Sequence, residues 1–310
     1  MFRHALLGTD LSKASATLID SSDEFSKIGI EKITLIHVVD LRNTKLPNIF
    51  TLEELEESLI QQKKILESKG FDVNAEIIYG IPSLEIEKKR KEVSADLIIV
   101  GSNGNNWSGT VLGETASEIL HNMKLPVLLM VLKQTKSLDE IFSQKNFFEL
   151  EQAFKQIQKF EPDWELYRKN LTEHILFPTD FSDFSEHAFE CLAEQPFKIN
   201  RLTLMHVQDE VKIEKHLKNR LDEFNKIDSE RLKRLRQYFE QKHPETKISI
   251  KLVYGKPKTE IVKTIQAEKV TLTVMGSQGR GSLSDVFIGS VSHHVARHAD
   301  SHVLFIPLIC

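Results

Sequence analysis

Cysteine is nearly absent. Only Cys191 and Cys310 occur in 310 residues, far apart in the chain. Neither a disulfide framework nor a zinc-ligand spacing can be built from them, which fits a reducing compartment. Long apolar runs are missing as well: nothing approaches the roughly 20 residues of a membrane span. The start, MFRHALLGTDLSK, lacks the basic segment and apolar core of a signal peptide. Neither sign of charge dominates, with 41 basic and 45 acidic residues and a net charge of −4. That balance gives no reason to expect nucleic acid as a partner. The Walker pattern GxxxxGK[ST], a GxGxxG after the first strand of either half, and HExxH are all absent. No Ser–His–Asp or Cys–His arrangement stands out at strand ends. These absences leave the expectation of a cytoplasmic protein with no membrane and no nucleic-acid partner, long enough for about two domains.

What is present is a repeat. HALLGTDLSKAS (His4 to Ser15) returns as HILFPTDFSDFS (His174 to Ser185), and ITLIHVVD (Ile33 to Asp40) as LTLMHVQD (Leu202 to Asp209). AEIIYGIPSLEI (Ala75 to Ile86) returns as IKLVYGKPKTEI (Ile250 to Ile261), and DLIIVGSNG (Asp96 to Gly104) as TLTVMGSQG (Thr271 to Gly279). LPVLLMV (Leu125 to Val131) returns as SHVLFIP (Ser301 to Pro307). Five matches in one order, at a nearly constant offset, mark a tandem duplication.

Each half alternates short apolar runs with helical patterns. In the second half the strand candidates are Ile175 to Phe177, Arg201 to Val207, Ile248 to Tyr254, Val270 to Met275 and His302 to Ile306. Continuous apolar or β-branched runs suit strands covered on both faces. Leu217, Leu221, Phe224, Leu232, Leu235 and Phe239 keep helical spacing, with Lys, Arg and Glu between them. Strand–helix alternation implies parallel sheets wound by right-handed crossovers. The chain therefore reads as α/β, with doubly wound domains over residues 1–135 and 171–310. Residues 136–170 have no counterpart in the other half. Phe147, Leu150, Phe154 and Ile157 there lie at helical spacing, which favours a connecting helix laid on a domain over a partner-docking helix. The last apolar strands, Val127 to Val131 and Val303 to Ile306, are edges that must be covered, and packing one on the other would do so within one chain.

Four features fall at strand ends in the second half: PTD (Pro178 to Asp180), HVQD (His206 to Asp209), YGKP (Tyr254 to Pro257) and MGSQG (Met275 to Gly279). Ligands of open parallel sheets bind at those ends. Glycines allow close backbone approach, and the helix expected after Gly289 offers its first N–H groups and its positive end to a phosphate. The hydroxyls of Ser290 and Ser292 add donors, and Arg280 adds a charge. Thr179, Asp180 and Val207 would face a nucleoside.

The spacing G-x2-G-x9-G-S, read as Gly276, Gly279, Gly289 and Ser290, resembles the ATP-binding signature of the universal stress proteins. The PTDFSDFSEHA start, the MHV strand end and the closing ADSHVLFIP resemble that family too. The resemblance covers both halves. It implies five-stranded parallel sheets of order 3-2-1-4-5 that pair through their last strands. It also implies ATP, with Mg or Mn on the phosphates, held at Pro178, Thr179, Asp180, Val207, Met275, Gly276, Gln278, Gly279, Gly289, Ser290, Val291 and Ser292.

The first half departs from the signature. Gly101, Gly104 and Gly113 are present, but only eight residues separate Gly104 from Gly113, Glu114 replaces the serine and Trp107 is inserted. A carboxylate there would repel a phosphate. Gly8, Thr9, Asp10 and Val38 keep the nucleoside side, so the first site is expected to be degenerate. His293, His294 and His298 share one helix and read as exposed or capping rather than as a metal site. His37 and His206, at matching strand ends, read as structural. The run RLKRLRQ (Arg231 to Gln237) reads as a solvated helix face. The function expected is an ATP-binding regulatory protein that signals to a protein partner, with a homodimer of the chain as a further expectation. The alternatives are a slow ATPase or nucleotidyl transferase and a ligand-free interaction module.

Overall fold

The computed structural model describes residues 2–42, 51–102, 112–122, 124–134, 164–166, 169–210, 221–279 and 288–308. The first half runs β1 (His4–Thr9), α1 (Lys13–Asp20), α2 (Asp23–Ser26), β2 (Lys32–Asp40), α3 (Leu52–Ser68) and β3 (Asp72–Gly80). It continues with α4 (Pro82–Glu92), β4 (Leu97–Gly101), α5 (Glu114–His121) and β5 (Val127–Met130). Two short strands, β6 (Leu132–Gln134) and β7 (Trp164–Leu166), pair antiparallel. The second half runs β8 (His174–Pro178), α6 (Asp183–Ala193), β9 (Arg201–Asp209), α7 (Leu221–Lys242) and β10 (Lys247–Gly255). It ends with α8 (Pro257–Ala267), β11 (Leu272–Gly276), α9 (Ser290–His298) and β12 (His302–Ile306).

Each half forms a parallel sheet in the order 3-2-1-4-5, and the two sheets join into one of ten strands, β10-β9-β8-β11-β12-β5-β4-β1-β2-β3. The seam is the antiparallel pair β12–β5, with Val303 opposite Leu129, Leu304 opposite Leu128 and Phe305 opposite Val127. Val131 N–H extends the seam by donating to His302 Nδ1 at 2.9 Å. Strand sequence explains this architecture. Every residue of β8, β11 and β12 is buried, as required of strands covered on both faces. Successive side chains alternate between the two faces. Leu7, Leu128, Phe177 and Leu304 enter one apolar layer, and Leu6, Leu129, Leu176 and Phe305 the other. Both layers therefore cross the seam and draw on both halves.

Local signals set the helix starts. Ser12 and Ser182 cap α1 and α6 by accepting from Ser15 N–H and Ser185 N–H. Thr51 and Glu54 form a capping box on α3. Pro82 and Pro257 open α4 and α8, where a missing N–H costs nothing. The helix expected around Phe147, Leu150, Phe154 and Ile157 lies outside the described residues, as does Leu217. Within 136–170, the described residues 164–166 are a strand rather than helix, and Leu166 enters the same apolar layer as Leu7. Leu171 N–H then donates to the buried Glu24 at 2.8 Å, tying the start of the second half to α2. No helix among the described residues is long and apolar enough to cross a membrane.

A second repeated contact bears on pH. His4 and His174 each place Nε2 2.9 Å from a threonine hydroxyl on the neighbouring strand, Thr34 and Thr203. Burial first, then the charge of Lys32, pushes His4 below the ordinary histidine pKa. Burial and then Arg201 do the same to His174. A depressed folded-state pKa means that the unfolded chain takes up more protons as pH falls below about 6.5. The contribution of both histidines is present above that pH and is lost as pH falls through it. The melting temperature should fall between about pH 7 and pH 5, above the carboxylate range. A flat profile across that interval would contradict the assignment.

Candidate functional site

The loop after β8 is built the same way as its counterpart after β1. Thr179 Oγ1 accepts from Phe181 N–H at 3.0 Å, and Asp180 Oδ1 accepts from Ser182 N–H at 3.1 Å and from its hydroxyl at 2.6 Å. Thr9 and Asp10 accept from Leu11 N–H and Ser12 N–H in the same way, but the hydroxyl that donates to Asp10 Oδ1 is that of Ser15. Phe181 and Leu11 both adopt positive φ, 57° and 60°. Behind each loop a histidine holds the threonine carbonyl. His206 Nδ1 is 2.7 Å from Thr179 O, and His37 Nδ1 is 2.9 Å from Thr9 O. A carbonyl only accepts, so Nδ1 carries the proton in both. These histidines position the loop, as the sequence suggested.

At the end of β11 the glycine loop is held at both ends. Ser277 N–H donates to Ile306 O at 2.9 Å, and Gly289 N–H donates to Ser277 O at 2.8 Å. A Cβ at Gly276 would stand 2.9 Å from Phe184 O, and one at Gly279 only 2.6 Å from Asp180 Oδ2. Backbone of α6 therefore excludes a side chain at Gly276, whereas one at Gly279 would require the Asp180 carboxylate to turn away. Gly289 is the N-cap of α9 and gives no side-chain cap. The first intrahelical bond runs from His293 N–H to Gly289 O at 2.8 Å. The N–H groups of Ser290, Val291 and Ser292 precede it and lie at the positive end of the helix. The hydroxyl expected as a ligand donor at Ser292 is used otherwise: it donates to Gly276 O at 3.0 Å and ties α9 to the loop. Gln278 is buried, yet its Oε1 has no hydrogen-bond partner among the described residues. An orphaned buried amide oxygen is costly unless a ligand or water meets it.

These pieces enclose a cleft of about 1220 Å³, and all twelve residues expected from the sequence line it. Arg280 lies outside the described residues. The structure adds residues that the sequence reading missed, mainly from α7 and α8. Asp228 is buried, accepts from Gln208 Nε2 at 2.9 Å, and has Oδ2 3.6 Å from His206 Nε2. Arg231 sits 5.2 Å over the Phe181 ring, which in turn packs 4.5 Å from the His206 ring. Phe224, placed by its spacing in the apolar stripe of α7, lines the cleft instead. Arg231 is exposed, as are Lys233, Arg234 and Arg236, so the run keeps the solvated face assigned to it, with Arg231 at its border with the cleft. The spacing 224, 228, 231 is one helix face, a signal readable only once the sheet edge beneath it is known.

The first half keeps the frame and loses the room. Ser102 N–H donates to Met130 O and Gly113 N–H to Ser102 O, both at 2.9 Å, as in the second half. The cleft there measures about 290 Å³. Arg42 reaches across it, donating to both oxygens of Asp40 and, at 2.8 Å, to Glu118 Oε1, with Glu114 at 3.7 Å. The hydrogen bonds from Arg42 hold the Asp40 carboxyl below its usual range. Gly104 and Trp107 lie outside the described residues.

Among the described residues no group of three His, Cys, Asp or Glu side chains is placed to hold a metal ion. His298 Nδ1 caps His294 O at 2.9 Å and the two rings stack at 4.2 Å. His293 meets His121 of α5 at 5.6 Å across the seam.

A duplicated parallel sheet with a cleft at the carboxyl ends of its strands defines a tandem of doubly wound α/β domains. The model of the Universal stress protein family matches residues 1–130 and 172–307, and the chain belongs to that family. Universal stress protein MJ0577 of Methanocaldococcus jannaschii is 31% identical over 159 residues, covering 44% of this chain and 98% of that protein. Universal stress protein MJ0531 of the same organism is 28% identical over 140 residues, covering 42% of this chain and 82% of that protein. A crystal structure of a universal stress protein from Archaeoglobus fulgidus shares the fold across 98% of both chains, with 20% identity and a TM-score of 0.62.

Proposed function

We propose that the chain is a cytoplasmic regulatory protein that binds one adenine nucleotide, ATP, in the second-half cleft. The observation that carries this reading is the uncapped N-terminus of α9 standing beside the Gly276–Gly279 loop in one cleft. Phosphates suit that place because three N–H groups and the helix dipole converge on it. Base and ribose then fall toward Pro178, Thr179, Asp180 and Val207, and the orphaned Gln278 oxygen gains a donor. A Mg or Mn ion would arrive on the phosphates, since the described side chains offer no cage for it. In the first half Arg42 and the carboxylates around it take the corresponding space, so that site holds no nucleotide.

Isothermal titration of the nucleotide-stripped chain with Mg·ATP tests this by counting sites. One site per chain is expected. At 100 times its Kd, ATP should add about 2.7 kcal/mol of stability, read as a rise in melting temperature. Two sites would refute the blocked first half, and no binding would refute the function. Phosphate release followed on the same sample separates a binder from an ATPase. Steady turnover that tracks occupancy would replace the regulatory reading with an enzymatic one.

A further inference from the structure

The two clefts differ in charge at equivalent positions, with carboxylates in the first where the second has a serine and a histidine, and a serine in the first where the second has a lysine. Counting from the N-cap glycines, Glu114 and Glu118 of α5 stand where Ser290 and His294 stand on α9. Counting from the prolines that open α4 and α8, Ser83 stands where Lys258 stands. Lys258 and His294 both line the second cleft, beside the first turn of α9. The α8 N-terminus, like that of α9, has no side-chain cap, so two helix N-termini open on this wall.

We propose that Lys258 and His294 form a cationic wall that reads the terminal phosphates of the bound nucleotide and sets a preference for triphosphate over monophosphate. This rests on the nucleotide reading of the cleft given above. A monophosphate reaches the N–H groups of Ser290 to Ser292. A longer phosphate chain extends beyond them and needs further positive charge. The orphaned Oε1 of Gln278 gives independent support for a ligand in this cleft.

The surroundings favour an anion. Burial first, then His298 and Lys258, hold His294 below the ordinary histidine pKa. His293 is lowered by burial and then by His121, which the first half contributes across the seam, and by Arg297. On α8, Glu260 faces Lys263 at 2.8 Å, and Lys256 lies 3.7 Å from Glu210. The carboxylates of the cleft, Asp180, Asp209 and Asp228, come from the ends of β8 and β9 and from α7. A polyphosphate beside His294 supplies the missing negative charge and raises its proton affinity. Binding of the triphosphate should therefore take up a proton and tighten as pH falls through the histidine range.

The test is titration of the native chain, His294→Glu, His294→Gln and Lys258→Ala with ATP and with AMP. His294→Glu places in the second half the residue that the first half carries. It should weaken ATP by about tenfold and AMP by less than about threefold. Lys258→Ala should act in the same direction. From about pH 8 to about pH 5.5 the native chain should gain ATP affinity relative to His294→Gln, a comparison that cancels protonation of the γ-phosphate itself. An equal loss on ATP and AMP, no loss on either, or identical pH profiles for the native and His294→Gln chains would overturn the proposal while leaving the nucleotide site intact. Failure of the native chain to bind either nucleotide would overturn both.

Discussion

A Gly289→Glu chain will bind ATP at least about a hundredfold more weakly than the native chain while keeping its fold. A Cβ at Gly289 stands 3.2 Å from Gln278 Cα, so the added side chain crowds the glycine loop. Its carboxylate then lies at the helix end where the phosphates are proposed to sit. At an effective dielectric of about 20, two unit charges about 5 Å apart repel by about 3 kcal/mol. That alone exceeds two decades of affinity. Titration calorimetry reads the loss, and circular dichroism with the melting temperature checks the fold. Gly289→Ala adds the contact without the charge and should lose far less. Native-like ATP affinity in Gly289→Glu would remove α9 from the site.

The second large effect is expected at the seam. Phe305 is fully buried, pairs with Val127 across β12–β5 and belongs to an apolar layer shared by both halves. Phe305→Ala should cost about 3–5 kcal/mol, a large part of the roughly 5–15 kcal/mol that stabilises a typical protein. The layers cross the seam, so the loss should spread. Hydrogen exchange should accelerate in β1 and β8 alike. Faster exchange confined to the second half would mean that the halves are energetically separate despite their shared sheet.

The strands were largely legible from the sequence. His302 to Ile306 is found as expected, and the other second-half strands differ by one or two residues at their ends. Buried parallel strands announce themselves as unbroken apolar runs, and their ends are set by hydrogen bonds that composition does not record. The seam followed from the need to cover an apolar edge. That the twelve residues line the cleft was legible in two ways: Pro178 to Asp180, Val207 and Met275 to Gly279 lie at strand ends and Gly289 to Ser292 at a helix start, and the resemblance to the family picked out the set. Arg42 was not, since its partners Glu114 and Glu118 are more than seventy positions away in sequence. Asp228 and Arg231 were hidden for a different reason. On an amphipathic helix the boundary between the packed and solvated faces falls where the cleft lies, and spacing alone does not say what lies beneath it. The inward turn of the Ser292 hydroxyl was not legible, because a hydroxyl at a helix start can face the cleft or turn back to its own loop.

The antiparallel seam has one further consequence. Strands within each half are parallel, but β12 runs against β5. The carboxyl ends of the two sheets therefore point in opposite directions, and the two clefts open at opposite ends of the molecule. In a symmetric dimer of single domains, every residue must serve at both mouths. Fusing the copies breaks that obligation. Position 118 can be acidic and position 294 a histidine, and the molecule acquires a polarity, with a wide cleft at one pole and a narrow one bridged by its own arginine at the other.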